Sequence, residues 1–260
     1  MEPPRHGEES SSDALAASHT PEAIRARLRA GPRYSYLRDF VYGAVDGTIT
    51  TFAVVAGIAG AGLTDGVVVV LGLASLVADG LSMAASNFLG ARAEAELRER
   101  ARHTEVAHVE LHPRGEREEI RQIFEGKGFS GDALDRAVEI ITADRERWIQ
   151  TMLVEEFGLS PVGPSPWRAG IATFAAFLGA GVLPLLAYLW NVVAAGSVGR
   201  PFLWSALLAG LGFFGVGALK GRFVQRSGWL AGLETLAIGG LAAAVAYGIG
   251  AGLEGLARAF

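Results

Sequence analysis

Residues 40–90 read FVYGAVDGTITTFAVVAGIAGAGLTDGVVVVLGLASLVADGLSMAASNFLG and decide the fold. They form two apolar runs, about 40–62 and 66–90, joined by a short turn. About 20 apolar residues cross a bilayer as a helix, so each run predicts a transmembrane helix. Each run also holds one carboxylate well inside it, Asp46 in the first and Asp79 in the second. An aspartate near mid-membrane costs roughly 2.5–3.5 kcal/mol on insertion scales, so we expect both to line a polar path for a divalent metal ion.

Three further apolar runs, about 167–190, 202–219 and 229–253, are each long enough to span a membrane. Half of the 260 residues are hydrophobic, and their gathering into five long runs excludes an ordinary soluble protein. The chain has no cysteine, so only oxygen, imidazole and thioether ligands are available to a metal. We therefore predict an all-α membrane protein with five transmembrane helices and no nucleic-acid partner.

A charged stretch, residues 91–165, separates the second and third spans. The second span is expected to leave the membrane as one long helix until Pro113 and Gly115 break it. Further helices are predicted at about 116–127 and 132–157, the second with an apolar face at helical spacing. The predicted parts are a disordered tail (1–35), spans one and two (36–90), a three-helix domain (91–165) and spans three to five (166–260).

Basic residues indicate which side of the membrane is cytoplasmic. Five arginines lie between residues 25 and 38, and the linker 220–226 is also basic. The linkers on the opposite side carry only Asp65 and Arg200. With five spans, the tail, the inserted domain and the basic linker fall on one side, which the positive-inside rule makes cytoplasmic.

Three acidic residues in the spans are candidates for proton coupling: Asp46, Asp79 and Glu234. For the two aspartates the alternative is a hydrogen bond that only holds helices together, but ionisable residues in spans usually mark ion or proton paths. Glu234 lies near the start of the fifth span and is either a proton carrier or an interfacial residue. Met83 follows Asp79 by one turn, which predicts a carboxylate and thioether site that favours transition metals over Mg and Ca.

Helical spacing also groups potential metal ligands within the inserted domain. They are Glu105, His108, Glu116, Glu119, Met152, Glu155 and Glu156. Residues three or four apart face one way from a helix, and Glu and His side chains from neighbouring helices hold Fe(II) or Mn(II) in bundles. The alternative is a solvated charged face. The position of Met152 on the same face as Trp148, close to Glu155, favours the metal site.

Three segments carry a family resemblance: YGAVDGTITTFAVVAG (42–57), ADGLSMA (78–84), and the segment from REEIRQIFEGKGF (117–129) to MLVEEFGL (152–159). In this order they resemble the vacuolar iron transporter family of iron and manganese transporters. The likeness covers about residues 36–253, including the inserted domain. It implies a homodimer of five-span subunits that moves Fe(II), and often Mn(II) or other divalent ions, out of the cytosol in exchange for protons.

The resemblance also implies roles for individual residues. It assigns a membrane metal site near the dimer interface to Asp46 and Met83. The residues that would gather cytosolic metal are Glu105, Glu116, Glu119, Met152 and Glu155. Three positions depart from the family pattern. Ser75 stands where better-known members have a glutamate, which leaves Asp79 to supply that carboxylate. His108 replaces a cytoplasmic glutamate, and Thr151 replaces a second methionine.

Two other functions fit the same residues. A membrane-anchored ferroxidase would use carboxylates and a histidine for a di-iron centre, although Glu105-Val106-Ala107-His108 is the only Glu-x-x-His sequence in the chain. A metal-sensing scaffold would bind metal without moving it. We expect a transporter rather than an enzyme, with metal as substrate and no prosthetic group. Its membrane is expected to be a bacterial plasma membrane, or a vacuolar membrane in a eukaryote.

Overall fold

The computed structural model describes residues 15–31, 34–160, 162–194 and 196–257, which fall into two units, Met1–Ser35 and Tyr36–Phe260. In the first unit Pro21–Ala30 form a helix, α1, where the sequence predicts a disordered tail. Thr20 caps it by accepting a hydrogen bond from the Ala23 N–H (3.3 Å), and no residue of α1 is buried. Local capping therefore defines this helix. Residues 1–14, 32 and 33 of the predicted tail lie outside the described residues.

The second unit consists of helices joined by short turns. In chain order they are α2 (Leu37–Gly60), α3 (Asp65–Leu111), α4 (Pro113–Gly126), α5 (Gly131–Thr142), α6 (Arg145–Glu155), α7 (Pro166–Gly181), a 3₁₀ turn (Leu183–Leu185), α8 (Leu186–Val193), α9 (Pro201–Phe223), α10 (Gly228–Gly252) and α11 (Glu254–Ala257). Five stretches are long and apolar enough to cross a membrane: α2, α3, Pro166–Val193, α9 and α10. The predicted all-α membrane fold with five spans is confirmed.

Helix α3 crosses the bilayer and continues well beyond it. Its 47 residues rise about 70 Å, whereas the hydrocarbon core of a bilayer is about 30 Å thick. Its apolar part ends at about residue 90, and charged residues follow. One continuous helix therefore joins Asp79 and Met83, within the membrane, to Glu105 and His108, outside it.

Helix α2 lies at the centre of the spans. It packs against α3, α7, α9 and α10, and it has the largest buried fraction of the five. Gly43 and Gly47 allow α7 to approach closely, because the main chains of Thr173 and Phe177 leave no room for a Cβ at either glycine. Asp46, the residue before Gly47, is half-buried on this tightly packed helix.

The third span is interrupted near its middle. Helix α7 ends at Gly181, and a 3₁₀ turn precedes α8. Pro184 lies in that turn and has no N–H to continue the α-helical hydrogen bonds. The Ser205 hydroxyl of α9 donates to the Pro184 carbonyl (2.6 Å), so the interruption is tied into the bundle.

Outside the spans, α4 and α6 pack against the extension of α3, and α5 packs against both. Ile120, Trp148 and Met152 are buried in the apolar core of this domain. The single helix predicted at 132–157 is wrong, because two helices, α5 and α6, occupy it. Asp144 separates them: its side chain accepts a hydrogen bond from the Arg147 N–H (2.8 Å) and caps α6.

Candidate metal centre

Two carboxylates and an imidazole converge where α3 meets α4. Glu105 and His108 lie one turn apart on α3, and Glu116 lies in the first turn of α4, which begins at Pro113. His108 Nδ1 is 3.5 Å from Glu105 Oε1 and 3.4 Å from Glu116 Oε1. One ligand atom of each residue lies within 4.8 Å of the other two. The structure thus brings together three residues that the sequence singled out.

Both carboxylates are buried with little to balance their charge. Glu105 is 0% exposed and Glu116 is 4% exposed. Among the described residues, neither oxygen of Glu105 has a hydrogen-bond partner, and Glu116 Oε2 has none either. In the described part of the chain, the His108 imidazole is the one basic side chain within 4.0 Å of them. Buried charges are normally paired or bound to a metal, so this arrangement suits a cation site.

Burial and repulsion raise the pKa of Glu105 to about 7. Burial is the largest cause, followed by the charges of Glu116, Glu156 and Glu119. Burial and the Glu119 charge raise the pKa of Glu116, against an opposing effect of His108. Burial and the Glu119 charge also raise the pKa of Glu156. Four carboxylates therefore repel one another in one small region, and a divalent cation would relieve that repulsion.

Glu155 and Met152 have other partners in the structure. Glu155 forms a salt bridge with Lys127, just beyond α4. Met152 is 0% exposed and belongs to the apolar core that also contains Trp148. At the end of α6, the carboxylate whose charge raises the pKa of Glu105 is that of Glu156. The family resemblance instead assigned a metal-gathering role to Glu155.

The geometry of the group suits a small divalent cation. Oxygen and imidazole donors lie about 2.0–2.2 Å from such a metal, which places two donors on one ion roughly 3–3.5 Å apart. The 3.4 and 3.5 Å distances from His108 to the two carboxylates are close to this separation. Oxygen and imidazole donors accept Mn(II), Fe(II) and Zn(II), so the ligand types leave the choice among these ions open.

The chain that carries this group has recognisable relatives. Residues 37–251 match the model of the VIT family. The vacuolar iron transporter of Toxoplasma gondii is 34% identical over 226 residues, which cover 84% of this chain and 74% of the relative. The chain belongs to the VIT family. Vacuolar iron transporter 2 of Oryza sativa is 30% identical over 85% of this chain and 88% of its own length.

Membership in the VIT family covers both parts of the second unit. The matched residues begin with α2, include the inserted helices and end in the last turn of α10. Vacuolar iron transporter 1 of Arabidopsis thaliana, 28% identical, likewise aligns with 81% of this chain. The family resemblance is therefore confirmed, as is the prediction that the chain is not an enzyme.

In this VIT-family chain, Asp46 lies on α2 and Asp79 on α3, two spans that pack against each other. Asp46 is half-buried, and the Thr50 hydroxyl donates to its main-chain oxygen (2.8 Å). Asp79 is exposed on α3 and accepts a hydrogen bond from the Ser75 hydroxyl (2.5 Å). Met83 is partly buried against the core of the spans. The predicted membrane residues thus lie on two helices in mutual contact.

Glu234 has a different environment. It is exposed in the second turn of α10. The adjacent Thr235 is buried, and its hydroxyl donates to the Ala231 main-chain oxygen (2.9 Å). Glu234 is therefore an accessible carboxylate near one end of the spans, and its part in proton coupling stays a prediction.

Sequence reasoning missed a buried polar network between α2, α3 and α7. Asn87 Nδ2 donates to Asp39 Oδ1 (2.8 Å) and Thr173 Oγ1 (2.7 Å) and lies 3.3 Å from the Ala169 oxygen. Asp39 is 4% exposed, and its second carboxylate oxygen has no partner among the described residues. Asp39 directly precedes the first apolar run, where an acidic residue looks interfacial in sequence. Only the tertiary contacts mark it as buried.

Proposed function

We propose that this protein transports Fe(II), and also Mn(II), out of the cytosol in exchange for protons. Its relatives bear the name vacuolar iron transporter, and its five spans give an ion a route across the membrane. One observation carries the proposal: Glu105, His108 and Glu116 form a group whose carboxylates are buried and largely without partners. Such a group gains much of its missing stabilisation by binding a divalent cation.

Capture of the ion takes place at the inserted helices. Glu105, His108 and Glu116 replace water around the ion, while Glu119 and Glu156 add negative charge nearby. A carboxylate binds metal when ionised and an imidazole when neutral, so capture releases protons from this group. The basic linker and tail favour a cytoplasmic position for the whole domain.

Passage uses the spans. Helix α3 connects the capture group to Asp79 and Met83, and α2, which carries Asp46, packs against α3. Asp46 and Met83 hold the ion, with Asp79 as the second carboxylate. Metal and protons compete for the same carboxylates, so protonation from the far side releases the metal there. The bound protons then pass to the cytosol, with Glu234 as a further proton carrier.

The exposure of Asp79 supports a homodimer. A carboxylate on the lipid-facing side of a span is costly, and a second copy packed on α3 would cover it. Val77 and Leu81, on either side of Asp79, are large apolar residues that are 46% and 55% exposed. We place the dimer in a vacuolar membrane in a eukaryote and in the plasma membrane in a bacterium.

Fe(II) flux into proteoliposomes tests the proposal. We expect Asp46→Asn to abolish flux and Glu116→Gln to weaken the apparent affinity for Fe(II) roughly tenfold or more. Glu94→Gln, which changes an exposed acid on the α3 extension, is the matched control and should retain both properties. Undiminished flux through Asp46→Asn would reject the membrane site. Binding of Fe(II) without flux in the parent protein would favour a sensing scaffold.

A further inference from the structure

A cleft of about 470 Å³ lies between α2, α9 and α10. Its walls are mainly apolar and include Val41, Val45, Val224 and Ile238. Two cationic residues, Arg38 and Lys220, also line it, and no acidic residue does among the described residues. Pockets for small ligands occupy about 300–1,000 Å³, so the cleft is large enough for a substantial apolar group.

The two cations are available to bind an anion. In the described part of the chain, neither Arg38 nor Lys220 has a carboxylate oxygen within 4.0 Å. The Arg38 guanidinium lies 5.4 Å from the centre of the Tyr42 ring, a cation–π contact that restricts its position. A guanidinium and an ammonium together are well suited to a phosphate group.

The cleft also lies at the correct depth for a lipid headgroup. Arg38 is the second residue of α2, and Lys220 is in the last turn of α9. Four membrane crossings, namely α2, α3, the third span and α9, separate the start of α2 from the end of α9, so both residues lie at the same face of the membrane. Val41 and Val45 follow Arg38 along α2 toward the membrane interior. The charged end of the cleft thus lies at headgroup level, and its apolar walls extend into the hydrocarbon region.

We propose that this cleft binds one anionic phospholipid, with its phosphate at Arg38 and Lys220 and an acyl chain along Val41, Val45 and Ile238. A free phosphate ion would leave the apolar walls uncovered. A second copy of the chain packed here by two-fold symmetry would bring a second pair of the same cations to the cleft, which like-charge repulsion disfavours. The bound chain would contact Val45, the residue that precedes Asp46.

Lipid binding to the purified full-length protein tests this proposal independently of transport. Native mass spectrometry would compare retention of phosphatidylglycerol, phosphatidylcholine and inorganic phosphate. We expect selective retention of phosphatidylglycerol, and a loss of affinity of roughly tenfold or more in the double variant Arg38→Gln and Lys220→Gln. Arg222→Gln with Arg226→Gln removes two exposed charges from the same end of the bundle and should leave retention unchanged.

A second variant separates lipid binding from loss of charge or of folding. Ile238→Trp keeps both cations but fills the apolar part of the cleft, and it should reduce phosphatidylglycerol retention to a similar extent while the protein elutes at its normal size. Because the chain has no cysteine, Val41→Cys introduces a single thiol. Four results would overturn the proposal: equal retention of the two lipids, equal loss in the control variant, retention of inorganic phosphate in place of lipid, or disulfide cross-linking of two chains through Val41→Cys.

Discussion

The Ser75 hydroxyl donates to the Asp79 carboxylate, with 2.5 Å between Ser75 Oγ and Asp79 Oδ2. The two residues lie one turn apart on α3, and Ser75 stands at the position that the family resemblance assigns to a glutamate. The side chain at that position thus contacts a carboxylate one turn further along the helix. This contact supports the view that Asp79 replaces the missing glutamate.

Exchanging the two positions tests that replacement. Asp79→Asn should lower the initial rate of Fe(II) uptake roughly tenfold or more, because the second carboxylate of the membrane path is lost. Ser75→Ala keeps the carboxylate and should have a smaller effect. Ser75→Glu combined with Asp79→Asn should restore much of the rate. Failure of this double variant, with normal protein yield and size, would contradict the replacement.

Glu105 should make the metal-free protein less stable at high pH. Its pKa is raised from 4.5 to about 7, so between these values the folded protein holds a proton that the unfolded chain has released. The contribution of Glu105 to folding stability therefore falls as the pH rises through this window. Glu105→Gln should raise the free energy of unfolding above pH 7 by about 1–3 kcal/mol and weaken Mn(II) binding.

Thermal unfolding with a chelator, below pH 4.5 and above pH 7, checks this pH dependence. Glu94→Gln, on the exposed side of the same helix, should change neither stability nor binding. If Glu105→Gln lowers stability at high pH in the absence of metal, the carboxylate has a structural role and the metal site is doubtful.

Glu155 and Glu156 should differ in their importance for metal binding. Glu156→Gln removes a charge that acts on Glu105, so Mn(II) affinity should fall severalfold in isothermal titration calorimetry. Glu155→Gln breaks the salt bridge with Lys127 and should change affinity little. The opposite order would show that Glu155 approaches the ion in the metal-bound protein.

Close packing of α2 on α7 should depend on Gly43. A Cβ at this position would collide with the main chain of Thr173, and such overpacking costs about 1–3 kcal/mol. Gly43→Ala should therefore lower the thermal unfolding temperature in detergent. Gly215→Ala is a suitable control because a Cβ there meets nothing within 4 Å. Equal unfolding temperatures for the two variants would exclude a tight α2–α7 contact.

The five spans follow from the lengths of the apolar runs, because a bilayer requires about 20 apolar residues per helix. Helical spacing was also sufficient to place Glu105 and His108 on one face. The position of Pro113 in the sequence was sufficient to mark the turn before Glu116. The end of α6 was less predictable. Neighbouring helix residues point about 100° apart, and the spacing from Met152 allowed either Glu155 or Glu156 to reach the site.

Two other features were not predicted from the sequence, for different reasons. The burial of Asp39 results from the approach of Asn87 and Thr173 on two other helices. The division between α5 and α6 depends on capping by Asp144, while the apolar spacing continues across it. Tertiary packing therefore decides the burial of Asp39, whereas a local N-cap decides the start of α6.

Simultaneous recording of Fe(II) uptake and internal pH in proteoliposomes is the decisive test of metal–proton exchange by this protein. With the inserted helices outside and an acidic lumen, we expect Fe(II) to enter while the lumen becomes more alkaline. Both signals should disappear together in Asp46→Asn. Uptake without any change in internal pH would contradict proton exchange, and bound Fe(II) without uptake would contradict transport itself.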